Sequence, residues 1–263
     1  MIQGAEAILK QPKTIGFLDS GIGGLTVLSE ALHRIPGADI LFYADTDHVP
    51  YGTKTREEIV GFAVDAVETL CERGAEAVVV ACNTATSMAI RQLRERFPIP
   101  IVGMEPAVKP AALIHPGERV LVCATPVTIR GEKLHTLIDR SFREGVRPTL
   151  AALPGLVTLA EEERFDFDSV RDYLRSVLDF GEHYAAVVLG CTHFTYFRDS
   201  FRSLFPGADI LDGNAGTVNR LVDLIGGEIP GKGTITFLES GRLVAEPEPL
   251  ARFGRYLERM RNL

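Results

Sequence analysis

The chain has no pair of cysteines at CxxC spacing; its four lie at 71, 82, 123 and 191. Neither a disulfide framework nor a zinc-ribbon spacing is therefore present, and free thiols in a reducing compartment are expected. It also has no run of basic residues, and its formal charge is −7. Neutralising phosphates needs clustered Lys and Arg, so nucleic acid is disfavoured as the main partner and a small ligand is favoured. With 46% hydrophobic and 24% charged residues, the chain lacks both the polarity of disorder and the apolar spans of a membrane protein. The first residues lack a basic start followed by an apolar block, so a cytoplasmic location is expected, with residues 1–13 a loose extension.

What is present begins with length: 263 residues suggest two domains of ordinary size. The apolar run Thr14–Leu18 reads as a strand that stops at Asp19 and Ser20, followed by Gly21, Gly23, Gly24 and a helix from about Leu25. Such glycines permit a tight strand-to-helix turn and leave backbone N–H groups bare at a helix start. A strand at 39–44 follows, then a long loop at 45–54 and a capping box from Thr55 to Glu58. The helix it opens ends near Gly74, and a buried strand then delivers Cys82, Asn83 and Thr84. Alternating strands and helices imply a parallel sheet with right-handed crossovers.

After Gly103 the pattern restarts, with a strand at 119–124 entering a loop at Thr125 and Thr128. A helix, a strand near Leu150, a helix around 168–180 and a strand ending at Cys191, Thr192 and His193 complete a second set. Ala124 lies 105 positions beyond Asp19, and Cys191 lies 109 beyond Cys82, so strand ends recur at a nearly constant offset. The expected fold is α/β, two similar doubly wound domains with largely parallel sheets and an active site in the cleft between them. The expected boundaries are 1–104 plus 215–263 for the first domain and 105–214 for the second. The hexapeptide PGADIL, at 36–41 and 206–211, reflects shared helix-to-strand turn chemistry. The last strand at 234–238 and a helix whose apolar face is Leu250, Phe253, Leu257 and Met260 are expected to return to the first domain.

A free thiol has a pKa of ~8.5 and is mostly protonated at neutral pH, so a reactive cysteine needs a helper. Asp19 ends a strand in the same sheet as Cys82, and His193 is two residues from Cys191. Two thiols supplied by two similar domains suit inversion at one carbon, with proton removal on one face and delivery on the other. Each sulfur would then sit ~3.5 Å from that carbon, and the two sulfurs roughly 7 Å apart. Ser20, Asn83, Thr84 and Thr192 are available for carboxylate and ammonium groups, and no lysine stands at a comparable strand end to anchor pyridoxal phosphate.

The stretches IGFLDSGIGGLTVL from Ile15, VPYG at 49–52, VACNTAT at 80–86 and LGCTH at 189–193 resemble the cofactor-independent glutamate racemases of the aspartate/glutamate racemase superfamily. The resemblance spans roughly residues 14–225. It implies interconversion of L- and D-glutamate to supply the D-isomer for peptidoglycan, in a homodimer needing no cofactor or metal. It further implies that Cys82 deprotonates the D-isomer and Cys191 the L-isomer, Asp19 assisting the first and His193 the second. Glu161 matches the second acidic catalytic position. Ser20, Tyr51, Gly52, Asn83, Thr84, Thr125 or Thr128, Thr192 and His193 match substrate-binding positions. The chain departs from the family pattern at Thr158, Phe194 and Thr195, which bears on the pocket wall.

Competing readings are simple ones. Asp19 as a helix cap, Glu161 as a solvated helix start, His193 as a loop orienter and Tyr51 as loop packing are the alternatives. Cys71 and Cys123 are expected to be inert packing, and His33, His48, His115, His135 and His183 to be surface or satisfied core residues. Two other function classes compete: a zinc enzyme ligated by Cys82, Cys191, His193 and Asp19, and a non-catalytic glutamate-binding protein.

Overall fold

The structure, a computed structural model, describes residues 12–143 and 147–263; residues 1–11 of the expected N-terminal extension lie outside the described residues. In chain order the elements are β1 (Thr14–Asp19), α1 (Leu25–Arg34), β2 (Asp39–Ala44), α2 (Arg56–Glu72), β3 (Ala77–Val80), α3 (Asn83–Arg96) and β4 (Ile101–Gly103). Then come α4 (Val108–Ile114), β5 (Val120–Ala124), α5 (Pro126–Arg130), α6 (Glu132–Ser141), β6 (Thr149–Ala152), α7 (Pro154–Glu161), α8 (Phe167–Val177) and β7 (Ala186–Gly190). The chain closes with α9 (Arg198–Leu204), β8 (Asp209–Asp212), α10 (Asn214–Leu224), β9 (Ile235–Glu239), β10 (Arg242–Leu243) and α11 (Pro247–Arg261). Short 3-10 turns occupy Tyr51–Thr53 and Thr192–Phe197.

Two sheets result, ordered β10-β9-β2-β1-β3-β4 and β6-β5-β7-β8. All pairings are parallel except β9 with β10. The order β2-β1-β3-β4 is repeated as β6-β5-β7-β8, which is the tertiary form of the constant offset seen in the sequence. In each sheet the connections leave in opposite directions from the central pair, β1/β3 or β5/β7. That makes the carboxyl ends of those four strands a topological switch point, where open α/β sheets bind ligands. All four central strands are fully or nearly fully buried, as strands covered on both faces require.

The chain crosses between the sheets after β4 and again after β8. At Gly213 a Cβ would stand 2.2 Å from the carbonyl oxygen of Glu105, so the two crossings touch and only glycine permits it. The capping box opens α2 as expected, Thr55 accepting from the Glu58 N–H and Glu58 from the Thr55 N–H.

Two expectations are revised. The segment between the strand near Leu150 and the helix near Asp168 holds an additional helix, α7, started by Pro154 at its first turn. In α11, Phe253 is fully buried while Leu250 is 38% exposed, and Tyr256, which the apolar spacing passed over, is 1% exposed. The buried stripe is thus set by rings: Phe253 stacks on Phe237 at 4.5 Å and meets Phe42 edge-on at 6.0 Å, pinning the helix to β2 and β9.

Candidate active site

Four strand ends deliver the chemistry. Leu18 of β1 pairs with Val80 of β3, which sets Asp19 beside the segment leading to Cys82. In the second sheet Ala124 of β5 pairs with Gly190 of β7, which sets Thr125 beside Cys191. Cys82 is the N-cap of α3, its sulfur accepting from the Ala85 N–H at 3.4 Å. Cys191 precedes the 3-10 turn and lies 3.9 Å from His193 Nδ1. Both thiols are buried, and charge on Cys191 adds to the upward push on Cys82.

The acidic partners bridge the two sheets. Asp19 Oδ1 accepts from the Gly21 N–H at 2.9 Å, and Asp19 Oδ2 accepts from the Thr192 hydroxyl at 3.0 Å. Its route to Cys82 runs through Ser20, whose hydroxyl lies 3.7 Å from the sulfur and 3.5 Å from Oδ1. Asp19 caps no helix, since α1 starts at Leu25 with Gly24 as its N-cap. Glu161 closes the last turn of α7 with a side chain only 15% exposed, which corrects the solvated-start alternative. Its Oε1 accepts from the His193 Nε2–H at 2.8 Å and the Ile22 N–H at 3.0 Å. Tyr196 donates to the carbonyl of that same Ile22 at 2.9 Å, so the turn after β1 is gripped twice by the second sheet.

Around the thiols stand polar groups fit to hold a substrate. The Thr84 hydroxyl meets Thr125 at 2.9 Å and Thr128 at 3.3 Å, so both threonines join one buried cluster between the two sheets. Asn83 is 3% exposed, and neither its carbonyl nor its amide finds a protein partner. An ordered core rarely leaves both ends of a buried amide unpaired. Tyr51 donates to Asp45 at 2.6 Å, and burial with that carboxylate pushes its phenol far above its ordinary range, so it remains a donor. Gly52 abuts Thr125, where a Cβ would stand 2.8 Å from the Thr125 Cβ.

The electrostatics of the two thiols differ. Burial, then the Asp19 charge, pushes Cys82 up to about 12, against the opposing Ala85 N–H. It therefore rests as a thiol. Burial also raises Asp19, with His193 opposing. For His193, burial favours the neutral ring, but Cys191 and Glu161 override it and hold the group well above its usual range. Glu161 resists burial and stays below the usual carboxylate range because His193, Ile22 and Arg252 stabilise its charge. The Cys191 side thus holds an ion pair, His193 with Glu161.

A family model of Asp/Glu/Hydantoin racemases matches residues 25–221. The chain belongs to that family. It is 47% identical to the glutamate racemase of Campylobacter curvus, covering 95% of this chain and 98% of that protein. It is 51% identical to the glutamate racemase of Halothermothrix orenii over 87% of this chain and 93% of that one. Among solved structures, Escherichia coli glutamate racemase in complex with L-glutamate and the activator UDP-MurNAc-Ala superposes with a TM-score of 0.79, at 30% identity over 92% of this chain and 95% of that one.

Hydrogen-bond contacts link Cys82, Ser20, Asp19 and Thr192 in one series, Cys191, His193 and Glu161 in a second, and Thr84 with Thr125 and Thr128 in a third. Among the described residues no group of three or more His, Cys, Asp or Glu side chains is arranged to hold a metal ion, and both His193 nitrogens face protein partners. Cys71 lies half-buried in α2 and Cys123 fully buried in β5, far up from an ordinary thiol through desolvation alone. His48 contacts Asp45 and stacks on Phe62, and His115 contacts Asp209. Two participants escaped the sequence reading. Asp45, just past β2, accepts from Tyr51 and from Ser240 at 2.9 Å; its signal was an acid at a strand's carboxyl end, as for Asp19. Arg252 of α11 bonds Glu161 at 3.0 Å; its signal was the spacing of Arg252, Arg255 and Arg259 along one helix face.

Proposed function

We infer that this amino-acid racemase, an isomerase, interconverts L- and D-glutamate with two thiols and no cofactor, supplying D-glutamate for peptidoglycan. The observation that carries this reading is the pairing of Cys82 and Cys191 at two equivalent switch points, each with its own helper. Family membership and the identity to proteins named glutamate racemase support it.

With L-glutamate bound, the Cys191 thiolate takes the α-proton, breaking C–H and forming S–H. The Cys82 thiol then delivers its proton to the opposite face of the carbanion, breaking S–H and forming C–H. The His193 imidazolium supplies the positive charge that a sulfur anion at Cys191 requires. With D-glutamate the roles reverse, Asp19 acting on Cys82 through Ser20. The N-terminus of α3, which Cys82 caps, favours negative charge at that sulfur while it serves as the base. Ser20, Tyr51, Gly52, Asn83, Thr84, Thr125, Thr128 and Thr192 are proposed to hold the carboxylates and the ammonium group.

The thiols are buried, and we propose that substrate reaches them by a local opening between domains 1–104 with 215–263 and 105–214. No helix among the described residues is long and apolar enough to cross a membrane. We propose a cytoplasmic homodimer.

The test is racemisation and α-proton exchange in deuterium oxide with Cys82→Ala and Cys191→Ala. Each should lose racemisation in both directions, and near-normal turnover in either would sink the two-thiol mechanism. Full activity in chelator is expected, against a zinc enzyme. Glutamate should be the preferred substrate over aspartate and hydantoins.

A further inference from the structure

Glu161 is held on both of its oxygens. Oε1 takes the His193 and Ile22 protons, while Oε2 accepts from an Arg252 guanidinium nitrogen at 3.0 Å. The same nitrogen also reaches the Glu161 backbone carbonyl at 2.9 Å, so the carboxylate and its backbone are fixed by one group. Arg252 comes from α11, 91 positions away in the sequence. Its side chain is 25% exposed, against 15% for Glu161 and 2% for His193, so the chain of contacts runs inward from the surface helix to the thiol.

The rest of that helix face grips the same region. Tyr256 donates to the Ala160 carbonyl at 2.6 Å, Arg255 pairs with Glu163 at 2.7 Å, and Arg259 donates to the Tyr196 carbonyl at 2.7 Å. Positions 252, 255, 256 and 259 lie on one side of a helix by spacing. Three of the four secure backbone or surface carboxylates; Arg252 alone among them contacts a side chain that touches the thiol's imidazole partner.

We propose that Arg252 is a positioning residue for the Cys191 half of the reaction: by fixing the Glu161 carboxylate it sets the orientation and charge of His193 against the Cys191 sulfur. This rests on the two-thiol reading above and extends it to a helix outside the matched family segment, which ends at residue 221. A carboxylate free to rotate about its terminal torsion would leave Nε2 without a fixed acceptor, and the ring carrying Nδ1 would lose its alignment.

Arg252 also lies 3.8 Å from Glu163 and 3.9 Å from Glu239, and its guanidinium is 5.7 Å from the Tyr256 ring centroid. Asp19, Cys191 and Tyr196 face the Glu161–His193 pair from β1 and the 3-10 turn. Arg252 and His193 are the cations among them. Removing the guanidinium leaves Glu161 easier to protonate, so the acid limb of the kcat/KM profile must move to higher pH.

The experiment compares Arg252→Met and Arg252→Lys with wild type in full-length enzyme, alone and in a Glu161→Gln background. Arg252→Met should lower kcat on the order of tenfold, a part of the gain that positioned acid–base groups provide, with KM unchanged and the acid limb displaced upward. Arg252→Lys should restore the position of the acid limb and most of kcat. In the Glu161→Gln background, Arg252→Met should cost little more, because the group it acts through is already neutral. Wild-type kcat and pH profile in folded Arg252→Met overturn the proposal, as do equal losses in both backgrounds. If Arg252→Met does not fold, Arg252→Gln decides: a wild-type acid limb in that variant overturns the proposal, and an upward displacement that Arg252→Lys reverses supports it. Retained racemisation in Cys191→Ala overturns the two-thiol premise, and the proposal with it, whatever the Arg252 variants do.

Discussion

Thr192 donates its hydroxyl to Asp19 at 3.0 Å across 173 residues of sequence, tying the helper of one thiol to the residue next to the other. Both are fully or nearly fully buried. Thr192→Val leaves an ionisable buried carboxyl short of a donor, a loss of about 1.5–3 kcal/mol for a hydrogen bond to a charged group. Denaturant unfolding should show that loss, racemisation should fall with it, and Thr192→Ser should recover both. Unchanged stability in the Val variant would contradict the contact.

Cys82 makes stability depend on alkaline pH. Its thiol is pushed up to about 12 when folded, whereas the unfolded thiol releases its proton near the ordinary value of ~8.5. A folded-state pKa above the unfolded one contributes stability that is fully present below the unfolded value and is lost as pH rises toward the folded one. The melting temperature should therefore decline above about pH 8.5. It should decline less steeply in Cys82→Ser, whose hydroxyl does not titrate there; identical slopes would argue against a buried, proton-holding thiol.

Asn83 carries an unpaired carbonyl and an unpaired amide at 3% exposure. A residue kept in that condition is expected to serve the ligand at the expense of the free protein, since each orphaned group costs about 1–3 kcal/mol. Asn83→Leu, close in volume, should melt higher than wild type and bind glutamate more weakly. A variant that melts lower with an unaltered KM would assign Asn83 to the scaffold.

Gly23 packs the turn after β1 against the second thiol's helper. A Cβ there would lie 2.4 Å from His193 Nδ1 and 2.4 Å from Thr192 Oγ1. Gly23→Ala should displace the imidazole from Cys191 and lower kcat by about 10²-fold, the scale of a 1 Å misplacement, while circular dichroism stays native. Wild-type turnover would show that the ring has room to move without consequence.

By itself, the sequence determined the strands, their alternation with helices, the doubling of the pattern and the two cysteines that stand where the strands end. These are local properties: apolar runs of strand length, glycines after Asp19 and the Thr55–Glu58 cap act within a few residues and are visible in one window of chain. The resemblance motifs placed Asp19, Glu161 and His193 in roles, while Glu162 and Glu163 beside Glu161 left a solvated helix start as an alternative. Only tertiary structure decided that Glu161 is buried, that it holds Ile22 and His193, and that Arg252 holds it in turn. It also decided that Asp19 reaches across to Thr192, and that Thr84 meets both Thr125 and Thr128. Such contacts join residues from about 30 to more than 170 positions apart. Their partners are chosen by which strand ends converge once the two sheets pack, and no local propensity encodes that.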